Sequence, residues 1–294
     1  MTAPDPAWLP DFIRAERLDE TFAETFRALH GPLAERLVAA TRAHGRPGFV
    51  AGLSAPQGAG KSTLVAVVSR LLADAGLKVA VLSLDDLYLT RAERLALAAE
   101  VHPLLATRGP PGTHDVALGL AVLDGLARED VTALPRFDKA ADDRAPRADW
   151  PLFAGPADIV LLEGWCLGAR PQAEEALAEP VNDFERVEDG EGAWRGFVNA
   201  ALAGAYRDLF ARIDWLAVMT APDFAVVRAW RREQEARLQS RLAGQGRVGG
   251  MDSAALERFL DHYQRLTAWC GEDLPGRADF VVRLGADRRP LTPP

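Results

Sequence analysis

Ala55-Pro56-Gln57-Gly58-Ala59-Gly60-Lys61-Ser62 sets two glycines, a lysine and a hydroxyl within eight residues. The pattern is close to the phosphate-cradling P-loop, with Ala55 where the strict form has glycine. Small residues let backbone N–H groups turn inward onto phosphate oxygens, and a helix that follows aims its positive end at the same anion. Gly58, Ala59, Gly60, Lys61, Ser62 and Thr63 are the expected nucleotide contacts. Lys61 would reach the outer phosphates, and the Ser62 hydroxyl would ligate Mg²⁺. A dinucleotide fingerprint fits less well, because Thr63 occupies its third glycine position and Lys61 would be idle.

Two further runs end in acids. Asp158-Ile159-Val160-Leu161-Leu162-Glu163-Gly164 has the form of a Walker B element, whose acid holds Mg²⁺ directly or through water. The competing reading is a structural glutamate at a strand end. Ser83-Leu84-Asp85-Asp86-Leu87-Tyr88 offers two adjacent carboxylates. Transfer to an alcohol benefits from a carboxylate that orients the hydroxyl and takes its proton. Asp85 is the expected base and Asp86 the fallback; the alternative is that these acids cap the helix following Thr90. Arg228, Arg231 and Arg232 share one helix face. They suit a lid that closes over the phosphates, with Arg228 and Arg232 as catalytic candidates beside Lys61. A solvated face paired with Glu233 and Glu235 is the alternative.

The elements that must position these groups alternate strand and helix. Apolar runs suited to buried parallel strands occur at Phe49–Leu53, Val79–Leu84, Ile159–Leu162, Trp215–Met219 and Phe280–Leu284. Helical patterns cover Lys61–Ala75, Val116–Ala127, Trp194–Arg212, Phe224–Leu242 and Ser253–Trp269. The expectation is an α/β, doubly wound parallel sheet with ligands outside the strands' carboxyl ends, where every motif above falls. Residues 1–47 read as a helical extension packed on the core: Phe22, Phe26, Leu29, Leu33 and Leu37 recur at helical spacing up to Gly45. Residues 48–294 form the nucleotide domain, with an insertion at about 102–151 and a lid at about 224–250. Residues 180–193 look like a surface excursion, and Gly244–Gly250 like a hinge or a helix-to-helix turn.

The insertion is too long to be idle in a compact domain. It holds Arg108-Gly109-Pro110-Pro111-Gly112-Thr113-His114-Asp115 and Pro135-Arg136-Phe137-Asp138-Lys139, followed by Asp142, Asp143, Arg144 and Arg147. Cations among acids suit a small, anionic, hydroxylated acceptor, since arginine pairs bidentately with carboxylates. Arg108, His114, Arg136, Asp138 and Lys139 join Asp86 and Tyr88 as candidate acceptor contacts. The alternative is that the charges pair among themselves and Asp115 caps the helix from Val116.

Composition narrows the rest. The 294 residues are 48% hydrophobic, enough for a sizeable core, and the net charge is −8 with no lysine-rich block, against a nucleic-acid partner. Cys166 and Cys270 make neither a zinc pattern nor a disulfide framework. No signal-peptide pattern opens the chain and no apolar run approaches a membrane span, so a soluble cytoplasmic protein is expected.

At these residues the chain resembles the D-glycerate 3-kinase family, within the P-loop kinases that include uridine kinase, pantothenate kinase and phosphoribulokinase. The resemblance rests on residues 54–62, 83–90, 108–115, 135–139 and 162–165, and more loosely on Val181-Asn182, Trp194-Arg195 and Val198-Asn199. Arg108-Gly109 with Gly112-Thr113-His114-Asp115, and Arg136-Phe137-Asp138-Lys139, are its discriminating pieces. It implies a five-stranded parallel core with the P-loop strand in the middle, and MgATP-dependent phosphorylation of the 3-hydroxyl of D-glycerate. By the same match it implies the base role for Asp85. Leu87 and Phe137 stand where many relatives have phenylalanine and tyrosine. Two rivals stay open: a P-loop kinase for another small alcohol, uridine- or pantothenate-like, and a nucleotide-binding switch. A GTPase switch would carry an Asn-Lys-x-Asp motif, and the sequence contains no Asn-Lys pair.

Overall fold

Five aliphatic runs form the central sheet because each is apolar on both faces, as strands covered by helices on two sides must be. The computed structural model describes residues 5–19, 21–244 and 249–291. The strands are β1 (Phe49–Ser54), β2 (Val79–Ser83), β3 (Ile159–Gly164), β4 (Trp215–Thr220) and β5 (Phe280–Arg283). They lie in the order β2-β3-β1-β4-β5, all parallel, with the P-loop strand in the middle. Successive side chains alternate faces. Val50, Val160, Leu162 and Val218 enter one layer with Leu123, Leu126, Tyr206 and Leu266. Phe49, Ala51, Leu53, Leu161 and Ala217 enter the other with Leu33, Leu37, Leu64 and Val68.

The main helices are α1 (Gly31–His44), α2 (Lys61–Asp74), α3 (Arg91–Glu100), α4 (Val116–Leu126), α5 (Phe224–Gly244), α6 (Ser253–Asp261) and α7 (Gln264–Asp273). Before α1, Phe22–Thr25 is helical and Phe26–His30 a wider turn, so the expected N-terminal helix is built in pieces. Leu29, Leu33 and Leu37 lay this segment against the sheet beside α2. Gly45 ends it at φ 72°, the left-handed conformation that glycine adopts without a Cβ penalty. Between α4 and β3, two short antiparallel pairs, Val131–Ala133 with Leu152–Ala154 and Phe137–Asp138 with Asp143–Arg144, build the insertion.

Several local expectations are corrected. The helix expected over Trp194–Arg212 breaks at Gly204, whose backbone (φ −96°, ψ −119°) is not helical, into Ala193–Ala203 and Ala205–Phe210. The helix expected over Ser253–Trp269 breaks before Gln264. There the Tyr263 ring packs 4.7 Å from Trp165, and its hydroxyl donates to the Arg108 carbonyl at 3.2 Å. Residues 180–193 are more than a surface excursion, since Phe184, Glu185 and Asp189 are buried. Arg265 donates to both Glu185 oxygens (2.8 and 2.7 Å) and Arg195 to Asp189 (2.9 Å), so each buried charge is paired. Neither Asp85 nor Asp86 caps the helix after Thr90. Thr90 caps it by itself, with Glu93 closing a reciprocal capping box. The hinge or turn expected at Gly244–Gly250 falls on residues 245–248, which lie outside the described residues.

Candidate active site

The P-loop leaves β1 already tied to its neighbour, as the Ala55 N–H donates to the Gly164 carbonyl at the end of β3 (3.1 Å). Ala55 is 2% exposed, and its methyl joins the core with Leu53, Leu64 and Met219, which is where a small apolar residue replaces glycine. Gly58 and Gly60 turn the chain at φ 76° and 91°. Among the described residues no side chain caps the start of α2, which leaves the first-turn N–H groups of Lys61, Ser62 and Thr63 available to an anion. From outside, the Arg288 Nε donates to the Gly58 carbonyl (2.7 Å), while its other nitrogens reach the Trp230 carbonyl (3.3 Å) and Glu233 (2.7 Å). Sequence reasoning missed Arg288, which lies 230 residues from Gly58 and belongs to no motif.

Parallel pairing of β2 with β3 puts Ser83 opposite Glu163. The Ser83 hydroxyl donates to Glu163 Oε1, and Lys61 Nζ stands 3.8 Å from Glu163 Oε2. The same hydroxyl accepts from the Asp85 N–H (3.2 Å), starting the short 3-10 turn Leu84–Leu87. That turn sends the two adjacent acids to different partners. Asp85 accepts from the Tyr88 hydroxyl (2.8 Å) on one oxygen and from Lys139 Nζ (2.6 Å) on the other. Asp86 accepts from the Phe137 N–H (3.0 Å) and Arg136 (3.2 Å), tying the insertion to the end of β2. Burial pushes the Asp85 pKa up, but Lys139, Lys61 and the Tyr88 hydroxyl more than offset it and leave it at about 2. Asp86, dominated by burial, is shifted up.

The insertion's cations are mostly held by its own acids. Arg108 pairs with Asp142, which also takes Arg94 at 3.0 Å. Arg94 is 1% exposed and donates to the Ala106 and Asp142 carbonyls (2.7 and 2.6 Å). Arg144 donates to the Tyr88 carbonyl (2.9 Å) and Asp115 (3.1 Å), and Asp115 caps α4 through the Leu118 N–H (2.9 Å). Asp138 accepts from the N–H groups of Ala140 and Ala141, so it shapes the turn that carries Lys139. His114 is buried, stacked on Tyr88 with ring centroids 4.5 Å apart, and its Nδ1 meets the Tyr206 hydroxyl at 2.5 Å. Burial lowers its pKa to about 3, so it is a neutral prop under Tyr88.

The α5 arginines point elsewhere. Arg228 pairs with Glu257 (2.8 Å) and Asp261, and Arg232 with Glu257 (2.6 Å), all on α6. Arg231 pairs with Glu235 (2.8 Å) and Arg237 with Glu233. The structure thus brings Lys61, Glu163, Asp85, Asp86, Tyr88, Arg136 and Lys139 into one linked cluster, whereas Arg228 and Arg232 are committed to a neighbouring helix.

Oxygen donors suit a hard cation. Among the described residues no three His, Cys, Asp or Glu side chains form a metal cage. A carboxylate such as Glu163 and a hydroxyl such as Ser62 are of the donor type that would suit Mg²⁺ with phosphates and water filling the rest of its shell. No described helix is long and apolar enough to cross a membrane.

Comparison with known proteins bears on this cluster. The family model described as methylmalonyl Co-A mutase-associated GTPase MeaB matches residues 19–88, which carry the P-loop and Asp85 but none of the insertion. Uncharacterized kinase mug58 of Schizosaccharomyces pombe is 34% identical over 231 residues, 74% of this chain and 79% of its own. The chloroplastic D-glycerate 3-kinase of Arabidopsis thaliana is 33% identical over 263 residues, 83% of this chain; the chain spans 54% of that protein's length. The solved D-glycerate 3-kinase of Cryptococcus neoformans superposes with a TM-score of 0.73 at 25% identity, covering 88% of this chain and 97% of that one.

Proposed function

Because this chain belongs to the D-glycerate 3-kinase family of P-loop kinases, phosphotransferases acting on an alcohol, we propose that it transfers the γ-phosphoryl group of ATP to the 3-hydroxyl of D-glycerate. The observation that carries the acceptor is the contact of Lys139 with Asp85. It sets the insertion's cations against the carboxylate at the end of β2, so one small molecule can offer a carboxylate to the insertion and a hydroxyl to Asp85.

In this reading the N–H groups of residues 58–63 and the Lys61 ammonium hold the phosphates of ATP. Asp85 takes the proton of the acceptor hydroxyl as its oxygen bonds to the γ-phosphorus. The bond from that phosphorus to the bridging oxygen breaks, and ADP leaves with the bridging oxygen. Glu163 and Ser62 would hold Mg²⁺, which would supply neutralisation of the phosphate charge. Lys139 and Arg108 face the acceptor carboxylate, while Asp86, Tyr88, Arg136, Asp138 and His114 hold the surface on which it lies. For α5 to act as a lid, Arg228 and Arg232 exchange Glu257 and Asp261 for phosphate oxygens. A coupled assay of ADP release with D-glycerate, uridine and pantothenate tests the assignment. Turnover that depends on D-glycerate is expected; its absence, with turnover of another alcohol, sinks the acceptor.

A further inference from the structure

Four cations of the insertion surround the cluster, and one differs from the rest. Arg108, Arg136 and Arg144 pair with Asp142, Asp86 and Asp115, acids that hold the insertion together. Lys139 instead sits on Asp85. Its backbone is anchored on both sides: Phe137 is bound to Asp86, the Ala145 N–H donates to the Arg136 carbonyl (2.8 Å), and the Arg91 N–H donates to Asp143 (3.0 Å). Its side chain is 61% exposed on a flexible four-carbon stem. The ammonium end is open to solvent, so a second carboxylate can reach it and compete for it without moving the hairpin.

Resting on the reading of Asp85 as base, we propose that Lys139 determines acceptor specificity by exchange. With the site empty it holds Asp85; an acceptor bearing a carboxylate draws the ammonium onto itself and frees that Asp85 oxygen for the hydroxyl proton. Water and neutral alcohols bring no carboxylate, so they meet a masked base. The direction of the Asp85 shift agrees: after burial, which raises its pKa, Lys139 is the strongest influence and holds it down, against the better base that proton transfer needs. Tyr88 stays in place through the exchange and keeps the carboxylate oriented.

Wild type, Lys139→Met and Lys139→Arg are compared for ATP hydrolysis without acceptor, for glycerol turnover, and for kcat and KM with D-glycerate. Lys139→Met is expected to raise hydrolysis and glycerol turnover several-fold while raising KM for D-glycerate roughly 10- to 100-fold, the worth of one charge-assisted hydrogen bond. Lys139→Arg, which keeps the cation, restores low hydrolysis and most of the D-glycerate affinity. Hydrolysis that stays level or falls in Lys139→Met overturns the exchange, as does an unchanged KM. The rise must also vanish in Asp85→Asn/Lys139→Met, and its persistence there likewise overturns the proposal. Failure of the acceptor assignment is separable, because hydrolysis without acceptor reads the masking whatever the natural alcohol is.

Discussion

Gly58 and Gly60 are both left-handed, yet alanine at each should cost different amounts. A Cβ on Gly60 meets nothing within 4 Å, so Gly60→Ala carries only the conformational penalty at φ 91°. That penalty is about 1–2 kcal/mol for a residue with a Cβ. A Cβ on Gly58 would stand 2.7 Å from the Trp230 Cβ and 3.2 Å from the Arg231 nitrogen, on α5. Backbone and a buried indole cannot retreat cheaply, because the Trp230 Nε1 donates to the Ala286 carbonyl (2.7 Å) and Arg288 bridges Trp230 to Gly58. Overpacking of this kind adds about 1–3 kcal/mol, so Gly58→Ala should lose about 2–5 kcal/mol in all. Urea unfolding without nucleotide measures both variants free of any clash with phosphate. Gly58→Ala is expected to be the less stable by at least about 1 kcal/mol. Equal losses, or a larger loss in Gly60→Ala, would refute the claim that α5 rests on the back of the P-loop.

Asp85→Asn should lower kcat by about 10²–10⁴-fold with KM for ATP nearly unchanged, whereas Asp86→Asn should chiefly raise KM for the acceptor by loosening the insertion; steady-state kinetics with each substrate varied separates them. Arg288→Met removes the outer hold on Gly58 and should raise KM for ATP roughly tenfold while leaving KM for D-glycerate alone. Burial lowers the pKa of His114 to about 3 and of His30 and His262 to about 4, so all three fold as neutral rings. The unfolded chain takes up their protons below its ordinary value of 6.5, so their contribution is present above that pH and lost as pH falls toward about 4. The slope approaches about 4 kcal/mol per pH unit for three protons, and a flat urea midpoint between pH 7 and pH 5 would contradict it.

Much of the architecture was legible because it is local. The three inner strands are buried on both faces and read as nearly continuous apolar runs. The edge strands β2 and β5, which bury chiefly one face, stay mostly apolar, so all five announce themselves without reference to one another. The P-loop is equally self-contained: strand, glycine turn, lysine, hydroxyl and helix follow within one stretch. The two helix breaks were less legible. Gly204 stands inside an otherwise helical pattern, and Tyr263 is drawn inward by Trp165 and Arg108, partners far away in the chain.

By itself, then, the sequence determined the layered α/β sheet, the phosphate loop and the set of acids and cations at its rim. How those charges are shared was set by the packing of distant segments. Asp85 and Asp86 are adjacent and chemically alike, and it is the 3-10 turn after Ser83 that hands one to Tyr88 and Lys139 and the other to Phe137 and Arg136. Arg228 and Arg232 share a face that fits a phosphate clamp, yet α6 presents Glu257 and Asp261 to that face first. Arg288 reaches the P-loop only because β5 ends beside α5. Periodicity reports which residues a chain must bury, a property of each segment; a carboxylate's role depends on which cation arrives within about 3 Å of it, and that is set by the packing of segments distant in sequence.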